Sequence, residues 1–324
     1  MRPINAALVT AFLLALALPA SAQTDEVYRI GILEPTHASM NRANLNSFLR
    51  GMREHGYVQG KNLVIDYRSA GGEPAQYRQL ATEMVRAKPH VIVTRGSAAA
   101  LAARDAGSVP VVMATSADPV AAGVVKSLRR PGGHVTGLTT QSAEVSSKRV
   151  RILKELAPQV TRIAAMLNMT NPTARREQRE VESAAQAVGV QALFFDVRDA
   201  DGLKRSLDAA VAEGADALLI NSEAVAMANR DAIINFAWKH RLPAMYSARE
   251  YTEGGGLVSY GVNYRDLYHR AASYAAKILR GAKPGELPIE RPTKFSLVIN
   301  VRAATAQGHS IPSDLLLRTD ELIR

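Results

Sequence analysis

The 324-residue chain contains no cysteine. That single absence excludes disulfides, thiolate metal ligands, a cysteine nucleophile and a lipid anchor on an N-terminal cysteine. Aromatic residues are only 5% of the sequence, and nowhere do they interleave with lysine and arginine in the manner of a nucleic-acid surface. The usual catalytic signatures are also missing. No G-x-G-x-x-G follows a strand-like run, and neither a G-x-x-x-x-G-K-S/T loop nor a G-x-S-x-G elbow occurs. The histidines, His37, His55, His90, His134, His240, His269 and His309, are scattered without metal-ligand spacing. No metal and no cofactor is therefore expected. Long apolar runs are absent beyond the first 22 residues, so no later segment approaches the roughly 20 residues a spanning helix needs.

Those 22 residues form a separate object. Arg2 gives a positive start, Ala6 to Leu18 an apolar stretch, and Ala20-Ser21-Ala22 a small-residue cleavage signature. A secretory signal peptide cleaved after Ala22 is expected, with the mature chain in a periplasm. The whole sequence is 47% hydrophobic and 22% charged, a globular composition long enough for two domains. The 40 basic and 30 acidic residues give a net charge of +10. The basic residues are spread along helix faces such as 175-RREQRE-180, so the charge supports a mild attraction for anionic ligands and not nucleic-acid binding.

From Val27 the chain alternates between strand and helix. Val27–Leu33, Leu63–Tyr67, Val91–Thr94 and Val109–Ala114 read as strands, separated by helical periodicities from Leu45 to Met52, near 75–87 and at 97–106. The segment 131-PGGHVTGLT-139 supplies a turn and a short strand, and Val145–Leu156 reads as helix. The pattern then restarts with strands at Arg162–Leu167, Ala192–Val197, Ala217–Ile220 and Ala244–Tyr246, and helices near 172–188, 200–212 and 225–240. KPHVIVTRGS resembles GADALLINSE, and SVPVVMATSA resembles RLPAMYSARE. Two similar lobes follow from that repeat, each a doubly wound parallel sheet covered by helices. Gly256–Tyr260 reads as a further strand, Tyr264–Leu279 as an amphipathic helix, and Phe295–Val301 as a last strand after a Pro-rich link. These extra elements imply that the chain crosses back: lobe 1 is expected from 23–142 and about 248–288, lobe 2 from 143–247 and about 289–324.

In open α/β sheets, ligands bind beyond the carboxyl ends of the strands, where helix N-termini offer free N–H groups. The residues at those ends are polar: Glu34 and Thr36, Gly96 and Ser97, Thr115, Ser116 and Asp118, Asn168 and Asn171, Asn221 and Glu223, and Tyr260. Each also has a plain structural role open to it. Ser97, Asp118 and Asn171 are good helix N-caps, the last two followed by proline at the favoured first position. Asn221 and Glu223 suit ordinary turns, and Tyr260 suits strand packing. In 109-VPVVMATSADPVAAG-123 the work divides: Asp118-Pro119 is expected to start an alanine-rich helix, leaving Thr115 and Ser116 to touch a ligand.

The segments GMREHGYVQGKNLVIDYRSAGGEPAQYRQLATEMV, VPVVMATSADPVAAGVVKSLRRPGGHVTGL and VINVRAATAQGHSIP, in that order, resemble the ABC transporter substrate-binding proteins of the tryptophan/tyrosine-uptake-like type. The resemblance implies a type I periplasmic-binding-protein fold, with a small ligand, such as an amino acid or related carboxylate, held between lobes hinged around a cleft. It implies ABC permease subunits with a cytoplasmic ATPase as partners, a monomer, and no catalysis. A rival of another class is an exported cleft hydrolase with Ser97 or Ser116 as nucleophile, which requires a base within hydrogen-bond reach. A ligand sensor docking a membrane receptor shares the same fold.

Overall fold

The computed structural model describes residues 26–140, 142–221 and 223–324; the expected signal peptide lies outside them. The first lobe is built on β1 (Tyr28–Glu34), α1 (Arg42–Glu54), β2 (Leu63–Ser69), α2 (Tyr77–Arg86), β3 (Val91–Arg95), α3 (Ser97–Ala106), β4 (Val111–Thr115) and β5 (Val135–Gly137). Its five strands run parallel in the order β2-β1-β3-β4-β5. Strand side chains alternate faces, so Ile30, Ile32, Val91 and Val93 join one core while Leu33 and Ile92 join the opposite one. On α1, Asn44, Ser47, Phe48, Gly51 and Met52 are buried, the i, i+3, i+4, i+7 stripe that an amphipathic helix lays on a sheet.

The second lobe begins with α4 (Ser142–Leu156), β6 (Arg162–Leu167), α5 (Ala174–Ala187), β7 (Gln191–Asp196), α6 (Ala200–Ala212) and β8 (Ala217–Ile220). It continues with α7 (Ala224–Ala228), α8 (Arg230–Lys239), β9 (Ala244–Tyr246), α9 (Arg249–Glu253) and β10 (Val258–Val262). The helix expected near 225–240 is thus two helices meeting at Asn229. The closing elements are α10 (Tyr264–Leu279), β11 (Phe295–Asn300), α11 (Val301–Ala306), α12 (Ser313–Leu317) and β12 (Glu321–Ile323). The second sheet is ordered β12-β11-β10-β9-β8-β6-β7. Read as 7-6-8-9-10, its parallel part repeats the 2-1-3-4-5 order of the first lobe, as the sequence repeat implies, and β11 joins it antiparallel.

The crossings differ in detail from the expected positions. β10 pairs with β9 and β11, so the chain leaves the second sheet at Asn263 and not near residue 248. α10 then packs against α1, β3 and β4 of the first lobe. Near the second return, Glu290 still bridges to Leu138, and the chain rejoins the second sheet only at Phe295. The sequence repeat ended visibly at Tyr246, but the fifth strand of a lobe carries its own pairing requirement, and hydrogen bonding to β9 fixes β10.

The alanine-rich helix expected after Asp118 is a single turn. Ala122 N–H donates to the Asp118 carbonyl, and both Val124 and Val125 N–H groups then turn to the Pro119 carbonyl. The Arg104 guanidinium takes the Gly123 and Val124 carbonyls, the acceptors a continuing helix would use, and β-branched valines favour that helix weakly. Where β5 passes β4, Gly137 has φ +131° and a Cβ there would lie 2.2 Å from the Met113 carbonyl oxygen. Only glycine lets these strands approach so closely.

Candidate functional site

The strand order reverses direction between β1 and β3 in the first lobe and between β6 and β8 in the second, and crevices open at such points. One cavity occupies the space between the two lobes at these carboxyl edges. Counted with the open solvent at its mouth, it takes in about 630 Å³ of space not filled by protein.

The first lobe contributes Pro35 after β1, Arg95, Gly96, Ser97 and Ala98 around the start of α3, Thr115 and Ala117 after β4, and Tyr77 from α2. The second contributes Asn171, Glu223, Ala224 and Met227, and the crossover residue Tyr264 closes one side. Gly96, with φ +86°, is the N-cap of α3, a backbone angle glycine adopts without penalty. It sets the first turn of α3, whose N–H groups lack helical partners, at the cavity wall that Gly96, Ser97 and Ala98 form. Beside that turn the Ser97 and Ser116 hydroxyls are joined at 2.8 Å. Among the described residues neither hydroxyl is hydrogen-bonded to a histidine or a carboxylate.

Of the residues singled out from sequence, Gly96, Ser97, Thr115, Asn171 and Glu223 line the cavity. Ser116 sits one layer behind, reaching it through Ser97. Asn171 does not cap α5 itself, whose N-cap is Thr173; its Oδ1 accepts from the Thr173 N–H and hydroxyl at 3.1 and 3.0 Å. Asn168 supports it, its carbonyl accepting from the Asn171 N–H at 2.9 Å. Asp118 stands outside the cavity, taking the Val120 and Ala121 N–H groups at 3.2 and 3.0 Å and pairing with Arg176 of the other lobe at 3.0 Å. Asn221 is fully buried with neither amide atom partnered among the described residues.

Glu34, Thr36 and Tyr260 do not line the cavity. The Glu34 carboxyl lies behind β1 and accepts the Tyr268 hydroxyl, while the Thr36 carbonyl accepts the Tyr67 hydroxyl at 2.7 Å. Tyr260 packs in the core of the second lobe, stacked on Phe295 at 6.1 Å with the Lys148 ammonium 4.6 Å from its ring centroid. The sequence places Arg95 at a strand end facing the cleft without assigning it to the ligand, and it gives no sign of Tyr77, Met227 and Tyr264, which belong to helical periodicities that read as core.

Charge in the site is unevenly held. Glu223 is pushed up to about 8 by burial and by nearby Glu177; hydrogen bonds with the Asn168 backbone and the Asn171 side chain pull it down only in part. Glu177 is itself raised by burial, against the opposing pull of Ser146 and Arg149. Burial disfavours the charge on Arg95, yet Tyr268, Glu34 and Glu250 hold it above its ordinary value, so it stays cationic. Its guanidinium lies 4.3 Å from the centroid of the Tyr264 ring. Glu34 is pushed up to about 7 by burial, with Arg95 opposing.

Two hinged parallel-sheet lobes around a polar cavity define a type I periplasmic-binding-protein architecture. The chain belongs to the ABC transporter substrate binding protein family, whose model matches residues 29–323. A tyrosine-binding protein of Clostridioides difficile (strain R20291) is 23% identical over 289 residues, 88% of this chain and 83% of its own. A conserved domain protein from Vibrio cholerae superposes with a TM-score of 0.84 at 28% identity, covering 92% of this chain and 100% of that one. The ABC domain from Streptococcus pneumonia in complex with L-Trp gives 0.83 at 23% identity, with the same coverage. Among the described residues no helix is long and apolar enough to cross a membrane.

Proposed function

We propose that the protein is the extracytoplasmic solute-binding component of an ABC importer, capturing an amino acid or related small carboxylate between its lobes and delivering it to membrane permease subunits driven by a cytoplasmic ATPase. It acts as a monomer in the periplasm once the first 22 residues are removed. The observation that carries this reading is the division of chemistry across one cavity. The first lobe offers the α3 N-terminus with the Ser97 and Thr115 hydroxyls, suited to a carboxylate, and the second offers Asn171 and Glu223, suited to an amino group. The ligands named for the relatives, tyrosine and L-Trp, accord with it.

The mechanism needs no chemistry on the ligand. Contacts from both sides favour the closed arrangement by their differential affinity for it, and closure presents a surface to the permease. The serine hydroxyls, bonded to each other and to no histidine or carboxylate among the described residues, accord with binding. A thermal-shift screen of the mature protein against amino acids, small carboxylates and nucleobases tests the proposal. A ligand at about 100 times its dissociation constant stabilises by roughly 2.7 kcal/mol, a rise of a few degrees in Tm. The reading fails if no class shifts Tm while ester or amide substrates are turned over.

A further inference from the structure

Beside the cavity the lobes meet through buried polar groups, of which Arg95 also belongs to the cavity lining and Asn41, Asn44 and Glu250 do not. Glu250, on α9 of the second lobe, accepts a hydrogen bond through Oε1 from Asn44 Nδ2 of α1 at 3.0 Å. The same amide donates to Asn41 Oδ1 at 2.9 Å, and Arg95 Nη1 donates to Asn41 Oδ1 at 3.3 Å. Arg95 in turn forms part of the cavity wall, stacked on Tyr264 at the point where the chain crosses between lobes. Asn41, Asn44, Arg95 and Glu250 are all buried.

A permanently closed interface would gain more from apolar residues at these positions, because desolvating polar groups costs free energy that hydrogen bonds only partly return. Polar groups suit a contact that opens, since water solvates them when the lobes part. The satisfaction is incomplete as well: Glu250 Oε2, Arg95 Nη2, Asn41 Nδ2 and Asn44 Oδ1 have no hydrogen-bond partner among the described residues. Such a contact joins the lobes without locking them together.

We propose that Glu250 is a positioning residue that latches the closed form through Asn44, and that Arg95 couples this latch to the occupied cavity, so that Glu250 sets the open–closed balance without touching ligand. The proposal rests on the reading of the cavity as a closing binding site, and its test separates the two.

The absence of cysteine makes Lys61→Cys and Glu182→Cys, on exposed positions of the two lobes, a unique pair of spin-label sites for pulsed electron-resonance distances. In the ligand-free protein, Glu250→Ala and Asn44→Ala should each lower the closed-to-open ratio roughly three- to tenfold, the loss of one buried hydrogen bond. The double variant should lower it no further than the larger single change. An unchanged ratio in the single variants, effects that multiply in the double variant, or a ligand-free wild type with no closed population would each overturn the latch. If Glu250→Ala fails to fold, Glu250→Gln keeps the acceptor for Asn44 but loses the attraction to Arg95. A smaller reduction is then expected, and an unchanged ratio overturns the proposal. Distances in the wild type with each amino acid of the thermal screen are read separately. No shift with any of them defeats the importer reading while the ligand-free comparison still decides the latch.

Discussion

Glu223→Gln removes the charge of the cavity carboxyl while keeping its size and much of its hydrogen bonding. Without ligand, Glu223 is pushed up to about 8 by burial and Glu177, so at neutral pH its protonated form is favoured. An ammonium group placed beside it requires the ionised form, which costs on the order of 1 kcal/mol at pH 7. Charge-assisted hydrogen bonds return about 1.5–3 kcal/mol. Wild-type affinity for an amino acid should therefore rise roughly tenfold per pH unit between about pH 6 and 8 and then level off, with release of close to one proton per ligand near pH 7. The glutamine variant should show a flat profile, roughly 10- to 100-fold weaker above pH 8 and closer to wild type at pH 6. Stability runs the other way. A carboxyl whose folded value lies above its unfolded one contributes fully below about pH 4.5 and loses that contribution as the pH rises towards about 8. Ligand-free Glu223→Gln should thus exceed wild type in Tm at pH 8 and match it near pH 5. Calorimetry in two buffers of different ionisation enthalpy, with an amino acid found by the thermal screen, reads affinity and proton release together. A variant with wild-type affinity and the wild-type pH slope would refute the assignment of Glu223 to the ligand's amino group.

Three further substitutions probe the frame around the site. Ser116→Ala leaves the Ser97 hydroxyl without its 2.8 Å partner; a stability loss of about 1 kcal/mol with a several-fold fall in affinity is expected by denaturation and calorimetry, and unchanged affinity would remove Ser97 from the ligand contacts. Asp118→Ala removes the acceptor for two turn N–H groups and an exposed ion pair to Arg176. It should cost about 1 kcal/mol, nearly all from the turn, with little change in affinity, and a large affinity loss would place Asp118 at the ligand after all. Gly137→Ala puts a methyl group 2.2 Å from the Met113 carbonyl oxygen at φ +131°. A loss of at least about 2 kcal/mol in urea denaturation is expected, and a neutral result would mean that β5 separates from β4 readily.

The sequence by itself determined the elements and their repetition. Apolar runs such as VYRIGIL and SVPVVMA and the stripe from Leu45 to Met52 are local patterns, and the internal likeness of two halves specifies two similar sheets without reference to any contact. The edge residues Gly96, Ser97, Thr115, Asn171 and Glu223 were legible for a similar reason, since a polar residue directly after a buried strand falls where helix N-termini gather. Tertiary structure decided what distance in sequence conceals. Pairing of β10 with β9 and β11 placed the crossover at Asn263, and the Arg104 side chain, capturing two carbonyls, stopped the helix expected after Asp118. It turned Glu34 and Tyr260 into buried framework, because a position at a strand end fixes the edge but not the face the side chain takes. It brought Arg95 into the cavity wall and Glu250 against Asn44, more than 200 residues away along the chain. No local signal marks such a pair, since its partners are chosen by how the two lobes close on each other.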